Sequence, residues 1–170
     1  MLLAKDPIDG HRFCAPLTTE ITTSAELQST LWEAANILRS SAVDRTDWKG
    51  YILPLLFFKR ICDVWDDETE EAVELYGDED PSHFPEVHRF QVPDDCHWQD
   101  IRDTPANVGA ALQHAVQEIE RVNPDTLYRV FGSADWGNKE KFTDELLKDM
   151  IEGFSSIKLG NNDVNTDILG

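Results

Sequence analysis

Apolar residues recur at helical spacing along most of the chain. Thr23 and Glu26 stand three apart, the pattern of a capping box in which hydroxyl and carboxylate each satisfy an end group of a new helix. Leu27, Leu31, Ala34, Ala35 and Leu38 follow on one face and predict an amphipathic helix that ends near Ser40. After a short connection over 41–45, a second helix is expected to start beyond Thr46. There Trp48, Tyr51, Leu55, Phe58, Cys62 and Trp65 succeed one another in alternating steps of three and four. Ile52, Leu56, Phe57, Ile61 and Val64 widen its apolar surface past a single face, so the rest of the chain has to enclose it. Pro54 removes one backbone bond and crowds the carbonyl of Gly50, which predicts a kink that Gly50 eases.

The pattern then turns polar. Residues 66–80, DDETEEAVELYGDED, hold nine acidic side chains and no basic one, as expected of a solvated helix end and loop with Gly77 as the C-cap. The following PSHFPEVHRFQVPDDCHW is rich in Pro and His, and Phe90 to Val92 is at most a short edge strand or extended cover. Thr104 as N-cap and Pro105 at the first helical position predict a third helix with Val108, Leu112, Ala115, Ile119 and Val122 on its seam, closed by Asn123 and Pro124. Leu127 to Phe131 suggest a short helical turn and GSADWGN a loop. Thr143 caps a last helix carrying Leu146, Leu147, Met150, Ile151 and Phe154. The fold class is therefore mainly all-α: a helical bundle built on a central apolar helical hairpin, with long loops. Three segments are expected: an extended or disordered arm over 1–22, where Pro7, Gly10 and Pro16 interrupt any period, the bundle over 23–160, and a linker over 161–170.

Composition narrows what such a bundle does. With 170 residues and 41% hydrophobic content, one proper core and one domain are expected. Fifteen Lys and Arg against 33 Asp and Glu give a net charge of -18, the wrong sign for an autonomous nucleic-acid binder, whose affinity comes from cations displacing counterions. Any DNA contact is therefore local or made by a partner. Cys14, Cys62 and Cys96 are odd in number and well separated, as reduced cytosolic cysteines are. The N-terminus has no apolar signal region and no run approaches the ~20 apolar residues of a membrane span, so a cytoplasmic location is expected.

Candidate chemistry is sparse. There is no G-x-S-x-G, Walker A loop, H-E-x-x-H or paired C-x-x-C, and no catalytic residue is assigned. His83, His88, Cys96 and His97 fit no standard zinc spacing, so no metal is expected. The pairs Asp66/Asp67 and Asp94/Asp95 are what so acidic a chain produces by composition. Trp32, Trp48 and Trp65 sit on or near apolar seams and are read as packing in preference to base stacking. One local basic feature remains: Arg39, Arg45, Lys49, Lys59 and Arg60, all on the hairpin. They are candidates for contact with DNA phosphates or an acidic partner surface. The plainer reading makes them a solvent-facing stripe or partners of the acidic segment.

The hairpin also carries a recognisable pattern. L-W-x-A-A-x-x-L-R from Leu31 to Arg39, K-x-Y-I-L-P-L-L-F-x-K-R from Lys49 to Arg60, and then Asp63 resemble the N-terminal helical domain of the modification (M) subunit of type I restriction-modification systems. FQVPDDCHW, NVGAALQHAVQEIERVNP, the turn from Leu127 to Phe131 and FTDELLKDMIEGFSSIKL extend the resemblance over roughly Leu27 to Gly170. It implies an M subunit that methylates adenine at N6 with S-adenosylmethionine. Two such subunits would assemble with one specificity subunit, and a restriction subunit would join the full complex. In that family the methyl-transfer apparatus lies in a following domain with a Gly-rich cofactor loop and an Asn-Pro-Pro-Phe motif that holds the flipped adenine. Here Asn123-Pro124 is followed by Asp125-Thr126, and Phe131-Gly132-Ser133 lacks the Gly spacing of such a loop. The resemblance therefore implies an accessory domain that aids assembly and closure around DNA without catalysing by itself. A stand-alone acidic DNA mimic or protein-interaction module is the alternative.

Overall fold

The computed structural model describes residues 23–77 and 85–160; the expected arm and linker lie outside them. Five α-helices are present: α1 (Ser24–Leu38), α2 (Lys49–Tyr76), α3 (Trp98–Arg102), α4 (Val108–Val122) and α5 (Asp144–Ser155). No strand forms among the described residues, and short 3-10 turns occupy Arg45–Asp47 and Pro85–Val87.

The start of α1 is set by the expected capping box. The Glu26 amide donates to the Thr23 hydroxyl at 3.2 Å while the Thr23 amide donates to the Glu26 carboxylate at 2.7 Å. Leu27, Ala34 and Leu38 are buried along its inner face. The principal neighbour of α1 is α5, and α2 touches it more lightly. α1 therefore packs against α5 more closely than against its sequence neighbour α2.

α2 is the centre of the bundle and meets α1, α3 and α5. Tyr51, Ile52, Leu55, Leu56, Phe58, Ile61, Cys62 and Val64 are all buried, on more than one face, as its all-round apolar pattern requires. The helix runs unbroken through Pro54. Beyond Asp67 only Ala72 is buried; Val73, Leu75 and Tyr76 are exposed, and Gly77 ends the helix at φ 88°, a left-handed conformation that suits glycine.

The third predicted helix begins later than its sequence suggests. Thr104 is not its cap: the hydroxyl donates back to the Asp100 carbonyl at 2.8 Å, at the end of α3, a short helix the periodicity does not reveal. Asn107, at φ 57°, turns the chain, and α4 starts at Val108. The cap comes from another helix. The Asp144 carboxylate, at the first residue of α5, accepts the amides of Asn107 and Val108 at 2.9 Å each. A carboxylate facing the free N–H groups of a helix start is favourable, and those bonds hold the Asp144 carboxyl below its ordinary range.

Loops complete the core. Trp136 lies in the loop after Phe131, yet it is among the largest fully buried side chains, with its ring 6.4 Å from Tyr51, edge to face. Its amide donates to Gln113 Oε1 at 3.1 Å, and its carbonyl lies against Gly109, where a Cβ would overlap it. Phe90 to Val92 is extended cover: Asn123 binds both backbone groups of Gln91, accepting its amide and donating to its carbonyl at 2.8 Å each, as a strand neighbour would.

Candidate functional site

The five basic residues of the hairpin divide in two. Arg39 caps the end of α1, exposed, with its guanidinium 5.7 Å from the ring centroid of Trp32. Trp32 itself is 62% exposed, one step off the α1 seam, and does not pack in the core as its neighbours suggested. Arg45 lies in the 3-10 turn before α2, exposed, and is 5.7 Å from the ring of Trp48, whose indole donates to the Val43 carbonyl at 3.1 Å. Lys49 is the exposed first residue of α2, at a helix start with no side-chain cap. Cation–aromatic pairs of this kind hold a guanidinium in place while leaving its N–H groups in water. Beside Lys49 opens a groove of about 630 Å³ between the first turns of α2 and the loop after α4, lined by Leu53, Pro54, Phe57, Val130 and Ser133.

Lys59 and Arg60 turn inward. Lys59 is buried, pairs with Asp63 one turn further on, and lies 5.7 Å from the Trp98 ring. Arg60 is half-buried and its guanidinium donates to the carbonyls of Leu159 and Gly160. Burial pushes the Asp63 carboxyl up, and Lys59 opposes that shift. Asp66, partly desolvated and facing Asp63, Asp67 and Glu70, is pushed up to about 6.

The histidines are structural neighbours of Trp65. His88 stacks on its ring at 4.5 Å and 7°, His97 meets it edge-on at 4.5 Å, and His88 Nε2 lies 2.8 Å from the Thr69 hydroxyl. Burial holds His97 below the usual histidine range. Among the described residues no three His, Cys, Asp or Glu side chains are grouped to hold a metal ion; His83 lies outside them.

The sequence model of the HsdM N-terminal domain matches residues 27–154, which takes in every described helix from Leu27 to Phe154. The chain belongs to this family. HsdM N-terminal domains are the N-terminal domains of type I restriction-modification M subunits. No curated protein matches the chain. In this HsdM N-terminal domain the motif Lys-Arg at 59–60 with Asp63 serves internal packing, and the exposed cations stand at the other side of Pro54. No helix among the described residues is long and apolar enough to cross a membrane. What sequence reasoning missed is the role of Asp63, Asp67 and Lys158; the signal for the first two was charge inside an otherwise apolar helix, and Lys158, beyond the end of α5, gave none.

Proposed function

We propose that the chain acts as the accessory domain of a type I DNA adenine-N6 methyltransferase subunit. It helps assembly with the specificity subunit, a second M subunit and the restriction subunit, and it closes around DNA without transferring a methyl group itself. The observation that carries this reading is the family match over 27–154. Arg39, Arg45 and Lys49 supply the DNA-facing contacts, because they are the members of the hairpin's basic set that remain exposed. At a net charge of -18 such contacts position the domain on phosphates only once other subunits hold the DNA. S-adenosylmethionine belongs to the parent enzyme's catalytic domain. Mimicry of DNA by a stand-alone acidic chain is the second reading, and the family match over 27–154 favours the accessory domain over it.

Joining residues 1–170 to a downstream methyltransferase domain, together with the specificity subunit, is expected to restore adenine methylation. The chain alone is expected to give no heat of S-adenosylmethionine binding in calorimetry. Cofactor binding by the isolated chain would contradict the proposal.

A further inference from the structure

Three charged residues of α2 meet the segment that follows α5, and a fourth, Lys59, holds one of them. Arg60 donates to the carbonyls of Leu159 and Gly160, the latter at 2.7 Å. Asp63, paired with Lys59, accepts the Leu159 amide at 2.7 Å. Asp67 pairs with Lys158 at 2.7 Å, and its carboxylate fills the space where a Cβ at Gly160 would stand. Ile157 and Leu159 are buried in the core between these polar contacts. Donor, acceptor, ion pair and a required absence of side chain therefore all select one path for residues 157–160. A surface stripe of charge needs none of this.

We infer that Arg60, Asp63 and Asp67, with Lys59 holding Asp63, form a latch that grips residues 157–160 and fixes their path against α2. The latch is closed by groups that only a defined backbone path satisfies. Losing one charged hydrogen-bonding partner opens 157–160 locally while the helices stay packed.

Hydrogen exchange on the full chain tests this. In Arg60→Gln, amides over 157–160 are expected to exchange about tenfold faster or more, with α1 and α4 unchanged. Gly160→Ala approaches the same latch from the strap side and is expected to give the same local pattern; it carries the test if Arg60→Gln does not fold. Unchanged exchange over 157–160, or a rise shared equally by α1 and α4, would overturn the latch.

Discussion

Lys59 shows how a single residue changes meaning between sequence and structure. In sequence it interrupts an apolar helix and reads as a surface cation; in the fold it is buried against Asp63 and Trp98. Periodicity reports which face a residue occupies, but α2 is buried on several faces, so position gave no hint of where its charges point. Breaking a buried pair strands the remaining charge, so Lys59→Met is expected to lower stability by about 3 kcal/mol in urea unfolding at pH 8. The loss should shrink as pH is lowered, because burial favours the protonated form of the stranded Asp63 carboxyl. Equal losses at every pH would show that Asp63 is not the partner that matters. Asp66 makes a second prediction. Its folded value of about 6 lies above an unfolded value of roughly 4, so the native state holds the extra proton between those pH values and stability falls as pH rises through that window. Asp66→Asn should therefore raise Tm at pH 8 and flatten the Tm profile between pH 4 and 6; a profile parallel to wild type would refute it.

At the scale of elements, local end signals were the most legible part of the chain. Thr23 with Glu26, Thr143 and Gly77 all end helices where their chemistry requires. The start of α4 was misplaced because its cap, Asp144, comes from another helix, and no local pattern encodes a cap 36 residues away. The loop containing Trp136 was legible as loop but not as core, since a lone Trp between Gly and Asp residues has no period to assign it. Trp136→Ala is expected to cost about 3–5 kcal/mol, as for other large buried aromatics. Gly109 depends on the same contact. In most helices Gly→Ala adds about 1 kcal/mol of stability, but here the Cβ would overlap the Trp136 carbonyl, a backbone atom. Gly109→Ala is therefore expected to destabilise by about 1–3 kcal/mol; a gain measured by urea unfolding would mean that the loop yields freely.

For the whole molecule, fold class and family were readable from the hairpin motif and the all-α pattern, and the family match over 27–154 agrees with both. The candidate contact site was legible only in part: composition located the basic residues but could not separate the inward pair from the exposed three. Net charge sets the scale of what those three can do. With -18 overall, the domain repels DNA at long range, so the proposed contacts through Arg39, Arg45 and Lys49 require other subunits to bring the DNA. The central claim is tested most directly by the salt dependence of DNA affinity in a complex carrying Arg39→Gln, Arg45→Gln and Lys49→Gln together. If the three each meet a phosphate, the slope of log affinity against log salt should fall by roughly 0.9 per lost contact, up to about 2.7, with affinity weakened on every sequence alike. An unchanged slope and affinity would contradict the account.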